Sequence, residues 1–157
     1  IMAGGKAEHF ERARPVVAHV SARFTYMGPS GAGQATKLCN QIIVGCLFPV
    51  LAEAIRFAET AGVDATKLPE ALKGGFADSV PLQVFGPRIA TRAYDPPIGD
   101  AATLLKDLEN AAAVARDAGV PLPMTRSASE LYRMIQVLRP EGAEPTMFIE
   151  LLAGRGR

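Results

Sequence analysis

The sequence predicts a mostly helical domain built on one long helix, preceded by a short α/β segment. The chain from Ala32 to about Ala61 is mostly apolar and opens after a glycine-rich turn, Gly28 to Gly33. Further stretches with apolar residues at helical spacing follow, separated by glycine and proline. Residues 1–27 instead have a strand, helix, strand pattern. We therefore expect an α/β segment over residues 1–27 and an all-α domain of about six helices over residues 28–157.

Each element is predicted from local signals. Ile1 to Gly5 is typical of an apolar strand that ends in a glycine turn, and Arg23 to Met27 is typical of a second strand. Between them, a helix is predicted from Lys6 to about Val20, interrupted by Pro15. The long helix contains Pro49, which should kink it. The long helix is predicted to end at Gly62, and a short helix through Leu68 and Leu72, capped by Asp64 or Thr66, should follow it.

The second half of the chain gives similar signals. Ser79-Val80-Pro81 should open a helix, residues 94–99 should form a loop, and Asp100 should cap a helix that Gly119 stops. After an extended connector over 120–123 we expect a helix with a capping box at Ser127 and Glu130, a last helix from Thr146 to Leu152, and a frayed terminus over 154–157.

Composition excludes several classes of function. Of 157 residues, 48% are hydrophobic and 21% charged, and the net charge of +1 gives no sign of a nucleic-acid partner. Cys39 and Cys46 lie ~10 Å apart on one helix, too far to bridge, so buried free thiols in a reducing cytoplasm are expected. His9 and His19 are the two histidines, and no spacing resembles a metal site. The longest uncharged run, Leu38 to Ala52, is shorter than the ~20 residues of a spanning helix, so no membrane is expected.

The first turns of the long helix have the pattern of a site. Gln34, Lys37 and Gln41 fall on one helical face, and Asn40 borders them. One cation and three amides thus stand at the start of a helix whose other residues suggest that it is buried. The positive end of the helix dipole and partial burial would both disfavour a charged Lys37, which suits a group that exchanges protons near neutral pH. The plainer alternative is a lysine that only extends from the helix start into solvent.

Two phosphate-binding patterns fail on spacing. A P-loop needs lysine after its second glycine, where this chain has Gln34. A dinucleotide fingerprint needs a third glycine where this chain has Thr36. An independent phosphate-binding or nucleotide-binding domain is therefore disfavoured.

The motif Gly28-x-x-Gly31-x-Gly33-Gln34-x-x-Lys37-x-x-Asn40-Gln41 resembles the catalytic-lysine motif of the β-hydroxyacid dehydrogenases. This family includes 3-hydroxyisobutyrate dehydrogenase, 2-hydroxy-3-oxopropionate reductase (tartronate semialdehyde reductase) and 6-phosphogluconate dehydrogenase. The resemblance covers nearly the whole chain, because it continues through Leu51-x-Glu53-Ala54, Ala61-Gly62-Val63-Asp64, Gly74-Gly75-Phe76 and Leu105-Lys106-Asp107-Leu108.

The resemblance implies a fold and an activity. Residues 28–157 would be the all-α, multi-helical C-terminal domain of a 6-phosphogluconate dehydrogenase-like enzyme, with the catalytic lysine and the dimer contacts. Residues 1–27 would be the end of a Rossmann domain that binds NAD or NADP, and most of that domain is absent from this chain. The enzyme would interconvert a small hydroxyacid and its semialdehyde as a cytoplasmic dimer or tetramer. The chain alone would be inactive, because it lacks the dinucleotide site.

The resemblance also implies roles for individual residues. Lys37 would be the general acid/base, and Asn40 would bind the substrate, a role that Gln41 would share because some relatives place the amide one residue later. Lys106 would reach the nicotinamide end of the cofactor, with Asp107 holding a lysine in place; a solvated Lys-Asp pair is the alternative. One departure concerns specificity: the family often has an aromatic residue near Ile98-Gly99, and here Tyr94 lies further back.

Among relatives, Asn40-Gln41-Ile-Ile-Val and Gly74-Gly75-Phe76-Ala77 resemble tartronate semialdehyde reductase most, with 3-hydroxyisobutyrate dehydrogenase second. The alternative to an enzyme is a non-catalytic helical oligomerisation domain derived from this family.

Overall fold

The computed structural model describes residues 1–152, and the predicted frayed terminus at 154–157 lies outside them. The chain forms two compact units, one of Ile1–Gln41 and one that begins at Ile42. The elements are β1 (Met2–Gly4), α1 (Ala7–Val17), β2 (Thr25–Gly28), α2 (Ala32–Thr60), α3 (Leu68–Leu72), α4 (Val80–Thr91), α5 (Ala101–Asp117), α6 (Pro123–Leu138) and α7 (Phe148–Leu151), with 3-10 turns at Ala65–Lys67 and Pro145–Met147. The predicted fold class, mostly helical on one long helix with a short α/β segment, is confirmed.

The first unit is a small strand–helix–strand layer. β1 and β2 pair in parallel, with Met2 opposite Thr25 and Gly4 opposite Gly28. A parallel pair needs a crossover connection, which α1 supplies. Phe10 of α1 is buried, and its ring stacks on that of Phe24 at a centroid distance of 4.1 Å. The Phe10 ring also contacts that of Tyr26 in β2 at 5.2 Å, so two aromatic contacts hold α1 against the start of β2.

The second unit is a helical bundle around the later turns of α2. Tyr132 of α6 is fully buried, and its hydroxyl donates to the carbonyl oxygen of Gly45 in α2 at 3.3 Å. Its ring meets that of Phe148 edge-on at 4.7 Å. The core side chains come from α2, α4, α5, α6 and the C-terminal turns: Phe48, Leu51, Ala52, Ile55, Ala58, Ala65, Leu82, Ile89, Ala101, Leu108, Ala128, Tyr132, Ile135, Ala143, Phe148 and Ile149.

Three predicted caps form as hydrogen bonds. Asp64 accepts from the amide of Thr66, Ser79 accepts from Leu82, and Asp100 accepts from Ala102 and Thr103. In each case a side-chain oxygen satisfies an amide that has no partner within its helix. The starts of the first 3-10 turn, α4 and α5 are therefore set by local chemistry.

The capping box predicted before α6 is wrong, whereas the connector predicted over 120–123 is non-helical through Leu122 and ends one residue earlier than expected. α6 begins at Pro123, four residues before Ser127. The hydroxyl of Ser127 donates to the carbonyl oxygen of Pro123 at 3.1 Å from inside the helix, so it caps nothing. Proline suits a first helical position because its φ is already helical and it has no amide hydrogen to satisfy. The predicted last helix divides into the 3-10 turn Pro145–Met147 and the short α7.

The expectation of a buried long helix is wrong for one face of α2. Leu51 and Ile55 are buried in the core, but Ile43, Val50 and Phe57 are exposed. Cys39 is also exposed, so the prediction of buried thiols holds only in part; Cys46 is half-buried, and burial raises the pKa of its thiol. A helix that packs on its domain through one face leaves the opposite face open, whatever its composition.

The length and composition of α2 would suffice to cross a membrane, although a third of its most apolar 18-residue stretch is buried in the protein. The apolar part of α2 is therefore longer than the uncharged run from Leu38 to Ala52 on which the prediction was based. Core helices of soluble proteins meet the same criterion.

A charged pair joins the end of α2 to the end of α4. Arg92, in the left-handed conformation at φ 54°, forms a fork with both carboxylate oxygens of Glu59, with Nη2 to Oε2 at 2.9 Å. Arg56 donates to the same carboxylate at 3.1 Å. The hydrogen bond from Arg92 is the largest cause of a pKa for Glu59 below its usual value, and burial only partly offsets it.

The lowered pKa of Glu59 makes the stability of the chain depend on pH. The carboxylate stabilises the folded state above the unfolded pKa of 4.5, and this contribution is lost as the pH falls through the lower folded pKa. We expect Glu59→Gln to lower the free energy of unfolding by about 1–2 kcal/mol at pH 7, a value reduced for partial exposure. In urea denaturation the difference should shrink towards pH 3. Glu53→Gln, an exposed site on the same helix, is the control; an equal loss there would contradict the assignment.

Candidate functional site

The glycine turn and the first turns of α2 form a polar cleft in the first unit. The cleft has a volume of about 360 Å³. Lys37 and Gln34 contribute its polar side chains. The other lining residues come from the turn and from β1: Met2, Gly4, Gly31 and Gly33. An ammonium group and an amide thus line one recess at the positive end of a long helix.

Two glycines allow β1 to approach the start of α2 this closely. A Cβ on Gly33 would lie 2.7 Å from the carbonyl oxygen of Met2 and 3.1 Å from the amide nitrogen of Gly4. A Cβ on Gly4 would lie 2.5 Å from the carbonyl oxygen of Pro29 and 2.9 Å from the amide nitrogen of Gly33. Since these neighbours are backbone atoms, a side chain at either position would force the two segments apart.

The glycines of the turn are required for different reasons, either backbone conformation or close packing. Gly28 and Gly31 have φ values of 125° and 93°, which favour glycine. Gly33 lies inside α2 with an ordinary helical conformation, and its lack of a side chain matters for packing.

Lys37 is exposed, so the predicted partial burial is wrong. Its side chain lines the cleft beside β1 and the glycine turn. Lys37 is the sixth residue of α2 and therefore lies in its second turn.

The other polar residues predicted on this face of α2 differ in whether they line the cleft. Asn40 and Gln41 do not line it; the side-chain amide of Asn40 donates to Oε1 of Gln41 at 3.1 Å. Gln34 does line it. Thr36, at the place of the missing third glycine, donates its hydroxyl back to the carbonyl oxygen of Ala32 at 2.8 Å. The substrate roles of Asn40 and Gln41 stay predictions.

Lys106 lies on α5 in the second unit. Its ammonium group is exposed and lies 3.6 Å from Oδ1 of Asp107, which is buried. The alternative of a fully solvated pair therefore fits Lys106 but not Asp107. The cofactor role of Lys106 stays a prediction.

Tyr94, the aromatic residue nearest the expected specificity position, is held by the second unit. Its hydroxyl donates to Oε1 of Glu150 at 2.6 Å. Burial is the largest cause of its raised pKa, and the bond to Glu150 adds to it. The same loop is fixed by Ile98, whose amide donates to the buried carboxylate of Glu144 at 3.0 Å. The Tyr94 hydroxyl is thus engaged within its own unit.

Sequence reasoning missed the contribution of β1 to the cleft. Met2 and Gly4 line it from a segment more than thirty residues before Lys37. The one local signal was the pair Gly4-Gly5 directly after an apolar strand, which was interpreted only as a turn. Among the residues from 1 to 152, no group of three His, Cys, Asp or Glu side chains is arranged to hold a metal ion.

Comparison with known proteins places this geometry in a family. A family model described as NAD-binding of NADP-dependent 3-hydroxyisobutyrate dehydrogenase matches residues 31–152. The chain is 38% identical to 2-hydroxy-3-oxopropionate reductase of Escherichia coli (strain K12) over 132 residues, which are 84% of this chain and 45% of that protein. It is 31% identical over 140 residues to the NAD-dependent L-serine dehydrogenase of Pseudomonas aeruginosa, covering 85% of this chain and 47% of that protein.

Solved structures agree on the fold. The 3-hydroxyisobutyrate dehydrogenase of Mycobacterium tuberculosis, solved with L-serine, matches with a TM-score of 0.78 and 26% identity over 96% of this chain and 54% of that one. A 3-hydroxyisobutyrate dehydrogenase from Salmonella typhimurium matches with a TM-score of 0.83 over 96% of this chain and 53% of that one; at 23% identity it shows the fold alone. The chain spans about half the length of the relatives it matches. On the family match over residues 31–152, this chain belongs to the 3-hydroxyisobutyrate dehydrogenase family of β-hydroxyacid dehydrogenases.

Proposed function

We propose that this chain is the catalytic-lysine and dimerisation domain of an NAD(P)-dependent oxidoreductase that interconverts a small β-hydroxyacid and its semialdehyde. The observation that carries the proposal is the polar cleft at the start of α2, lined by Lys37 and lying largely within the segment that matches the family. Residues 28–157 would form this domain, and residues 1–27 would belong to the adjoining Rossmann domain.

Lys37 is proposed as the general acid/base. When bound, the nicotinamide supplies or accepts the hydride at the reacting carbon. In the reduction direction, the ammonium group of Lys37 donates a proton to the carbonyl oxygen, which becomes the hydroxyl. In the oxidation direction, the neutral amine accepts the hydroxyl proton. The open position of Lys37 at the cleft rim fits contact with a substrate oxygen.

The other proposed roles concern binding. An anionic carboxylate on the substrate would be stabilised by the positive end of α2 and the polar side chain of Gln34. Asn40 and Gln41 would bind the substrate hydroxyl or carboxylate after their mutual hydrogen bond opens. Lys106 would contact the cofactor, a role supported by the NAD-binding description of the matching family model. The described residues up to 152 offer no complete dinucleotide fingerprint, so the chain alone should be inactive.

The relatives narrow the substrate class. Their names include 2-hydroxy-3-oxopropionate reductase and L-serine dehydrogenase, and the matching model names 3-hydroxyisobutyrate dehydrogenase. Their substrates share a carboxylate and a reacting carbon one atom beyond its α-carbon. We therefore propose tartronate semialdehyde as the first candidate and methylmalonate semialdehyde as the second, with either NAD or NADP. A cytoplasmic homo-oligomer is part of the same proposal.

The test follows NADH and NADPH oxidation by the full protein that contains this chain, with each semialdehyde in turn. We expect turnover with at least one pair and none from the 157-residue chain alone. Glyoxylate, an aldehyde whose carbonyl adjoins the carboxylate directly, is the substrate control and should react poorly. Absence of turnover with every pair would favour the alternative, a helical oligomerisation domain that has lost the chemistry.

A further inference from the structure

A polar groove lies between α5 and α6 in the second unit. Its volume is about 520 Å³. The side chains that line it include three arginines and two glutamates: Arg116, Arg126, Arg133, Glu109 and Glu130. None of them lines the cleft of the first unit, and none has a role in the proposed reaction. The groove is therefore a concentration of charge that the oxidoreductase function does not explain.

Ion pairs neutralise one end of this groove. Arg133 of α6 donates to Oε1 of Glu109 in α5 at 2.6 Å. The same guanidinium donates to Glu130, about one turn earlier in α6. Both glutamates of the groove are thus engaged by a single arginine, and the charge of Arg133 is balanced within the protein.

The pair of Glu109 and Arg133 also sets the register of the two helices. α5 and α6 pack against each other and are joined by the short segment 118–122, so they run antiparallel. Seven residues further along α5 is Arg116, and seven residues back along α6 is Arg126. Seven residues are about two helical turns, so both arginines return to the faces that carry the ion pair. Both steps lead towards segment 118–122, and the register therefore places Arg116 opposite Arg126.

Two arginines thus meet where the same register would accommodate an ion pair. Both side chains are exposed, and in the part of the chain that the structure describes, residues 1–152, neither forms an ion pair. Like charges on facing positions of two helices repel each other, although water and salt weaken the effect. An anion between the two guanidinium groups would turn this repulsion into two attractive contacts.

Small side chains keep the groove open between its charged residues. Ala112 and Ala113 line it from α5, and Ser127 and Ser129 line it from α6. The two serine hydroxyls donate to backbone carbonyl oxygens of their own helix, so their oxygens remain able to accept. The volume of the groove lies in the range of about 300–1,000 Å³ that is usual for small-molecule sites.

A phosphate group fits this chemistry better than a single carboxylate. A guanidinium donates two parallel hydrogen bonds to two oxygens of one phosphate. A phosphate dianion has the charge and the oxygens to satisfy Arg116 and Arg126 together, whereas one carboxylate has a single charge and two oxygens. The remaining space, with carboxylates and serine oxygens that accept hydrogen bonds, suits the hydroxyl groups of a small molecule attached to the phosphate.

We propose that the groove between α5 and α6 binds a phosphate group through Arg116 and Arg126, either as free phosphate or as the phosphate ester of a small hydroxylated molecule. The bound dianion bridges the two helices near segment 118–122, as the pair of Glu109 and Arg133 does two turns away. This site goes beyond the proposed oxidoreductase function and does not rest on it, because the two sites share no lining residue.

The test is thermal unfolding of the 157-residue chain in glycerol 3-phosphate, in inorganic phosphate, and in sodium chloride of the same ionic strength. Two arginines that each bind the dianion should give a dissociation constant of about 0.1–1 mM. At about 10 mM, phosphate should therefore raise Tm by about 3–10 °C above the value in chloride. A larger rise with the ester identifies a phosphorylated molecule as the ligand, and a larger rise with inorganic phosphate identifies the free anion.

Substitutions assign the site to the two arginines. Arg116→Gln and Arg126→Gln should each raise the dissociation constant by about 10- to 100-fold, the effect of losing a charge-assisted contact. The double variant should melt at the same temperature in phosphate and in chloride. Arg12→Gln is the matched control, because it removes the same charge from an exposed arginine of the first unit and should leave the response to phosphate unchanged.

A charge reversal tests the register and the fold of the variant at once. Arg116→Glu places a carboxylate opposite Arg126, so it should raise Tm in chloride by about 1–3 °C and abolish the response to phosphate. A variant that had merely failed to fold would show a lower Tm instead.

Two results would overturn the proposal. One is a wild-type chain that phosphate stabilises no more than chloride does, and the other is a double variant that responds to phosphate as the wild type does. Binding of a polyglutamate peptide, with no binding of either phosphate, would overturn it in favour of an acidic protein segment.

Discussion

Lys37→Ala is expected to lower kcat of the enzyme that contains this chain by about 100- to 10,000-fold, the range for loss of a positioned general acid/base. Lys37 is exposed at the cleft rim, so its removal should leave the fold intact. The affinity for the nicotinamide cofactor should stay within about two-fold, because the proposed role is proton transfer. Steady-state kinetics and cofactor titration measure the two effects separately.

Two further variants make this result specific. Lys37→Arg should be nearly as inactive as alanine, since arginine keeps the charge but does not release a proton near neutral pH. Lys6→Ala, an exposed lysine of the same unit that does not line the cleft, should leave turnover unchanged. Near-normal activity of Lys37→Arg would show that the site needs only a positive charge, and the acid/base role would be wrong.

Leu108→Ala is expected to lower the free energy of unfolding by about 4–5 kcal/mol, the upper part of the range for buried leucines. Leu108 of α5 is fully buried, and a Cβ on Gly45 would lie only 2.8 Å from its Cδ2 atom. Gly45 has no side chain to fill the cavity, and the bond from Tyr132 to its carbonyl oxygen restrains its backbone. Urea denaturation measures the loss, and Val114→Ala, exposed on the same helix, should cost less than about 0.5 kcal/mol.

The close contact between α2 and α5 also predicts a compensation. Gly45→Ala alone should cost about 1–3 kcal/mol, because its methyl group would collide with Leu108. In the Leu108→Ala background the same methyl group enters vacated space, so the second substitution should be neutral or stabilising. Strictly additive losses would show that the two residues do not share this contact.

Local chemistry explains what the sequence could predict. The caps at Asp64, Ser79 and Asp100 each depend on atoms within three residues, and all three form. The failed capping box at Ser127 shows the limit of such signals, because Pro123 offers a competing helix start four residues earlier. Where two local signals propose different helix starts, the sequence alone does not show which of them the folded chain uses.

The candidate site was predictable where it is continuous in sequence. The glycine turn and Lys37 lie on one continuous segment, and the spacing of its residues predicted both the start of α2 and the resemblance to the family. The wall that Met2 and Gly4 supply comes from a non-local pairing of β1 and β2, which no spacing rule encodes. Likewise, the mostly apolar composition of α2 predicted a buried helix, but composition does not say which face packs on the core, and the structure leaves Ile43 and Phe57 exposed.

Rescue of Lys37→Ala by small primary amines tests the central claim most directly. If Lys37 exchanges the proton with the substrate oxygen, an amine that diffuses into the open cleft should restore turnover in proportion to its concentration. The restored rate should vary systematically with the basicity of the amine, and tetramethylammonium, a cation without a proton to exchange, should restore nothing. Equal rescue by tetramethylammonium, or an alanine variant as active as the wild type, would contradict the assignment of Lys37 as the acid/base.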